Sequence, residues 1–78
     1  NLETIAFKRI DQQIARLLLK NLAPNQRMVH MTHGDIAREL GTVREVVSRA
    51  LKQLERAELI KLFRGRIRVF DQEALKAY

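Results

Sequence analysis

The apolar positions of the chain change their period along its length. Leu2, Ile5, Ile10, Ile14, Leu17 and Leu18 recur at mostly helical spacings, the stripe of an amphipathic helix. This predicts a first helix over 1–23, ended by Pro24, which disfavours helical geometry in the residue before it. Asn25, Gln26 and Arg27 read as a loop, and Met28 to Met31, broken by His30, as a small strand. Thr32 followed by Asp35 approximates a capping box; Ile36, Ala37 and Leu40 give the apolar face, and Gly41 ends this second helix as a left-handed cap. Thr42 with Glu45 fits the Ser/Thr-x-x-Glu box, so a third helix begins at once and keeps its period to about Glu58. Two short helices separated by one glycine and one capping residue predict a helix-turn-helix over 32–58.

Beyond it the period shortens to two. Ile60 to Phe63 and Arg66 to Phe70 flank Arg64-Gly65, which suits a tight hairpin. Ile67 and Val69 alternate with Arg66 and Arg68, so one hairpin face is buried and the other cationic. A short helix closes the chain from Gln72. The expectation is one domain over 1–78, mainly α with a small β-hairpin: a winged helix-turn-helix of three helices plus a wing at 60–70. Val47, Leu51 and Leu54 are expected to pack on Ile36, Leu40 and helix one, with Ile67 and Val69 closing the core.

Composition narrows the class. Of 78 residues, 46% are hydrophobic, which excludes a disordered basic tail. There is no cysteine, so disulfide scaffolds and Cys-based zinc sites are out. No apolar run exceeds three residues, far short of a membrane span, and no signal-peptide pattern opens the sequence; a cytoplasmic setting and no membrane partner are expected. The sequence lacks a starting methionine and begins within a helical pattern, which predicts the C-terminal part of a longer protein.

Charge adds a partner. Fifteen Lys and Arg against nine Asp and Glu leave +6, and the densest block, Lys61, Arg64, Arg66 and Arg68, contains no acid. Edge strands often carry cations to deter pairing, but four without one acid in a small basic domain point to a polyanion. On a helical wheel of about 100° per residue, the third helix divides into an apolar arc and a polar blade. The arc holds Val46, Val47, Ala50, Leu51, Leu54 and Ala57, with Glu58 intruding. The blade carries Arg44, Glu45, Ser48, Arg49, Lys52, Glu55 and Arg56. Its N-terminal half mixes a forked donor, an acceptor and a small hydroxyl, the side chains that pair with guanine, cytosine and phosphate in a major groove. The N-terminal residues of the second motif helix are also those that reach base edges. Glu45 has two candidate duties, base reading and capping with Thr42. His30, His33 and Asp35 bring together possible metal ligands, but no further strong ligand at fixed spacing appears, so no metal is assigned. No phosphate loop or nucleophile–base pair points to an enzyme.

The run Thr32-His33-Gly34-Asp35-Ile36-Ala37-Arg38-Glu39-Leu40-Gly41-Thr42-Val43-Arg44-Glu45-Val46-Val47-Ser48-Arg49 resembles the DNA-binding domain of the Crp–Fnr transcription regulators. Leu51 to Arg56 and the hairpin from Leu59 to Ile67 continue the resemblance, which covers roughly residues 8 to 75. It implies a bacterial homodimer that binds double-stranded DNA, contacts RNA polymerase and carries an N-terminal sensor domain for a small-molecule effector; this domain itself needs no cofactor. Arg44, Glu45 and Arg49 match positions that read bases in a TGTGA half-site, and Ser48, between them on the blade, is expected to contact bases as well. Thr32 and His33 match phosphate contacts, and Thr42, Lys52, Arg64 and Arg66 are expected to touch phosphate as well. Val43 departs from the pattern, standing where many members have Ser. The rival expectation is a winged helix that meets an acidic protein through its cationic wing.

Overall fold

The computed structural model describes the backbone of residues 2–22 and 27–78, with side chains from residue 10 onward. The loop expected at Asn25 and Gln26, the stop at Pro24, and the burial of Leu2 and Ile5 lie outside the described residues. Helix α1 spans Leu2–Lys20, strand β1 Met28–Val29, helix α2 His33–Leu40, helix α3 Arg44–Arg56, strand β2 Ile60–Phe63, strand β3 Arg66–Val69 and helix α4 Gln72–Lys76. Among the described residues, four helices and a three-stranded antiparallel sheet, in the order β1-β3-β2, make a winged helix-turn-helix. The strand at Met28 extends the expected hairpin by pairing Val29 with Ile67.

Helix α1 stops short of its expected end at 23. The Asn21 side-chain amide donates to the Leu17 carbonyl at 2.9 Å, and so does the Asn21 backbone N–H at 3.1 Å. A short polar side chain thus adds a second donor to a carbonyl of the last turn and competes with continuation of the helix. Helix α2 begins as expected: the Thr32 hydroxyl accepts from the Asp35 N–H, and the Asp35 carboxylate accepts from the Thr32 N–H, both at 3.0 Å. It ends at Gly41, whose φ of 70° is left-handed.

Helix α3 begins later and ends earlier than 42–58. The Thr42 N–H turns back to the Ala37 carbonyl at 2.9 Å, the closing bond of a Schellman turn at the end of α2. Thr42 is thereby spent on α2, and the N-cap of α3 is Val43, which makes no side-chain capping bond. The expected Thr42–Glu45 capping box does not form. At the other end the Leu59 N–H bonds to the Leu54 carbonyl at 3.1 Å and the Glu58 N–H to the Glu55 carbonyl at 2.9 Å. Glu58 sits at φ 62°, past the helix and exposed. The acid that intrudes on the apolar arc of the wheel is therefore not on the helix.

Ile14 and Leu18 of α1, Ile36 of α2, Val47, Leu51 and Leu54 of α3, and Ile60, Ile67, Val69, Val29 and Leu75 form one fully buried core. Leu40 packs at its border. Each such Leu or Ile contributes about 1.5–3 kcal/mol by leaving water, so this core, rather than surface ion pairs, holds α3 against the rest. Tyr78, just past α4, is tied to α1 by polar contacts. The Tyr78 hydroxyl donates to Asp11 at 3.2 Å, and the Gln12 side-chain amide donates to the Tyr78 carbonyl at 3.2 Å. Burial pushes the Asp11 carboxyl above its ordinary value, partly offset by the Tyr78 bond. Among the described residues no helix is long and apolar enough to cross a membrane.

Candidate nucleic-acid interface

The core fixes what α3 shows to solvent. With Val47, Ala50, Leu51 and Leu54 buried, Arg44, Glu45, Arg49 and Lys52 project outward. The Arg49 guanidinium donates to the Glu45 carboxylate at 3.1 Å, one turn apart, with side chains 68% and 76% exposed. An exposed pair of this kind is worth only about 0.3–0.5 kcal/mol to the fold. It holds a forked donor and an acceptor side by side on the outer face of α3. Freed from the capping box, Glu45 has this single arrangement.

Ser48 and His33 meet. The Ser48 hydroxyl lies 2.8 Å from His33 Nδ1, and both residues are half-buried, so the second motif helix is tied to the first in its N-terminal half. Burial lowers the His33 pKa below its ordinary 6.5, and the positive charges of Arg44 and Lys52 lower it further. The ring is therefore neutral in the free domain at neutral pH. Thr32 accepts one bond through its hydroxyl and keeps its O–H to donate. The carboxylate of Asp35 is held below its ordinary value, first by the Thr32 backbone N–H.

Thr32 and His33 from the start of α2, Arg44 from the start of α3, and Arg64 and Gly65 from the hairpin turn line one open cleft, walled by Leu62 and Phe63. Four of the ten expected contact residues thus share one concavity, and Glu45, Ser48, Arg49 and Lys52 continue along α3. Thr42 stands apart, its backbone engaged with α2. Gly65 has φ 72°, which the turn joining β2 to β3 requires. On the outer face of the hairpin the Arg66 guanidinium sits 5.7 Å from the centre of the Phe63 ring, and Arg68 the same distance from Phe70. Such contacts contribute about 0.5–1 kcal/mol at exposed sites and order two otherwise floppy side chains.

Glu55 was not among the expected site residues. The wheel places it on the blade, yet its carboxylate accepts the Leu62 backbone N–H at 2.8 Å. Nothing local signals this bond, because it joins two elements seven residues apart across a turn.

A helix-turn-helix beside a hairpin, with cations from both around a shared cleft, defines a winged helix-turn-helix DNA-binding domain. The chain belongs to the family of Crp-like helix-turn-helix domains, whose family model matches residues 12–78. Solved structures agree. The chain is similar to a protein of the Crp/Fnr regulators from Eubacterium rectale, with 34% identity and a TM-score of 0.83 over 97% of this chain and 36% of that one. It is similar to the CO-sensing protein of R. rubrum, with 28% identity and a TM-score of 0.89 over 97% and 38%. The catabolite activator protein of Thermus thermophilus gives 28% and 0.83 over 96% and 36%. The chain thus spans little more than a third of the length of these proteins. A search of curated proteins returned no match.

Proposed function

We propose that this domain binds double-stranded DNA in a sequence-specific way, with α3 in the major groove and the wing on the adjacent backbone. The reading rests on the cleft that gathers Thr32, His33, Arg44 and Arg64 from three elements beside the exposed Glu45–Arg49 pair. Arg44, Glu45, Ser48 and Arg49 face base edges, Arg pairing with guanine and Glu with cytosine. Thr32, His33, Thr42, Lys52, Arg64 and Arg66 face phosphates, which set register and affinity without choosing sequence. The domain serves as the DNA-binding part of a longer, dimeric bacterial regulator in the cytoplasm, whose other part answers a small-molecule effector and which engages RNA polymerase. The length of its structural relatives, one of them CO-sensing, supports this.

Fluorescence anisotropy against a palindrome of TGTGA half-sites and a scrambled duplex, at one fixed salt concentration, tests the reading. Tighter binding to the palindrome is expected, and Arg49→Ala is expected to cost about 1–3 kcal/mol on it and to relax choice at one base. An equal loss on scrambled DNA removes Arg49 from base reading. Equal wild-type binding to both duplexes leaves a DNA-binding face that reads another sequence. Binding to neither at low salt favours the acidic protein partner.

A further inference from the structure

The wing is joined to α3 through a three-residue turn, Ala57 to Leu59, and by packing that thins toward the hairpin tip. On the inner face Ile60 is fully buried, Leu62 half-buried, and the turn at Arg64 and Gly65 exposed. Apolar burial is non-directional and does not by itself set the angle at which the tip projects. Strand β2 is an edge of the sheet, since the order is β1-β3-β2. Phe63 stands opposite Arg66 across the turn and Leu62 opposite Ile67. In an antiparallel ladder alternate residues turn their N–H away from the partner strand; with Phe63 and Arg66 closing the turn, Leu62 is such a residue. Its outward amide is the one that the Glu55 carboxylate takes, at 2.8 Å, and an ionised acceptor makes this a strong, directional bond. Glu55 is half-buried, and among the described residues it has no ion-pair partner. A carboxylate on a face that meets phosphates works against binding by its charge, yet this one is committed to the wing.

We propose that Glu55 is a positioning residue for DNA binding: by holding Leu62 it fixes the wing's angle to α3, so that Arg64 and Arg66 reach the backbone while α3 occupies the groove. The inference rests on the DNA-binding reading above. Glu55 itself touches neither base nor phosphate.

Glu55→Gln and Glu55→Ala separate the bond from the charge. Both remove the negative charge, but only Gln keeps an acceptor for the Leu62 amide, so the difference between them reports the bond. Relative to Gln, the Ala variant is expected to bind both the palindrome and the scrambled duplex several-fold more weakly. Its dependence of log Kd on log salt is expected to be flatter, as when a phosphate contact is lost, while the ratio between duplexes is unchanged. Amide exchange at Leu62 is expected to be slow in the wild type and in Gln and fast in Ala, which gives a readout in the wild type even if Ala unfolds. Equal affinities and salt slopes for Gln and Ala would overturn the proposal, as would fast exchange of the wild-type Leu62 amide. A loss confined to the palindrome also overturns it, because that is the mark of base reading. If the wild type binds neither duplex, the DNA reading fails and this inference with it; if it binds and only the Gln–Ala difference is missing, the inference alone fails.

Discussion

If His33 meets a phosphate as proposed, it is the residue expected to give DNA binding a pH dependence. Its ring is half-buried against Ser48, with Arg44 and Lys52 of α3 near it and Arg64 of the wing lining the same cleft. Asp35 on its own helix is engaged by Thr32. Burial, then Arg44 and Lys52, hold the pKa below 6.5, so folding favours the neutral ring. That contribution to stability is present above the unfolded value and is lost as pH falls through the folded one. A phosphate bound there would reverse the environment: it would offset the two cations and accept a bond from the protonated ring. The complex then holds a proton that the free domain gives up, so affinity is expected to rise as pH falls through the window between the two states. One proton limits the effect to about tenfold per pH unit. Measuring Kd from about pH 5.5 to about pH 8 at constant ionic strength checks this across the range where histidine titrates. His33→Gln is expected to flatten the profile, and His30→Gln to leave it sloped. A slope that survives His33→Gln assigns the proton elsewhere.

At the level of elements, what could be read from the chain depended on whether each helix end was settled by its own residues. Thr32, Asp35 and Gly41 bound α2 as their local pattern predicts, and Gly65 closes the hairpin turn in the left-handed conformation that Arg64-Gly65 implies. The start of α3 was misplaced because Thr42-x-x-Glu45 has the same capping pattern as a true helix start. The Schellman turn of α2 consumes both Gly41 and Thr42, and the cap falls one residue later, on Val43. Valine supplies no acceptor and is 61% exposed there, leaving the first amides of α3 without a side-chain cap. Val43→Ser places a hydroxyl at that position and is expected to stabilise the fold by about 1 kcal/mol, read from urea unfolding of the two proteins. If the start of α3 meets the DNA backbone as proposed, Ser also adds a donor there and is expected to tighten binding to the palindrome and the scrambled duplex by similar factors. An unchanged or lowered stability means that water already serves those amides as well as a side chain does.

For the whole molecule, the change of hydrophobic period from helical to alternating was enough to place the motif, the wing and most of the core. It could not place Glu55 against Leu62, His33 against Ser48 or Tyr78 against Asp11, since such partners are brought together by the tertiary fold and leave no local pattern. The charge distribution is legible at both levels, and the structure gives it a gradient. Lys61 and Arg68 stand directly opposite one another on the sheet, an arrangement of like charges that costs the fold a few tenths of a kcal/mol or more. Arg66 lies next to the turn, and Arg68 two residues farther back, about 7 Å along the strand. That distance is close to the screening length of about 8 Å at physiological salt. If the wing meets DNA tip first, Arg66 is within reach of a phosphate, and Arg68 acts on it from about one screening length farther away and so more weakly. Arg66→Ala is then expected to weaken palindrome and scrambled duplexes alike and to lower the slope of log Kd against log salt by about one. Arg68→Ala is expected to lower that slope by less than half as much. Equal slope changes for the two variants would mean that the outer face of the sheet, rather than its tip, lies along the backbone, with Phe63 and Phe70 facing the duplex beside them.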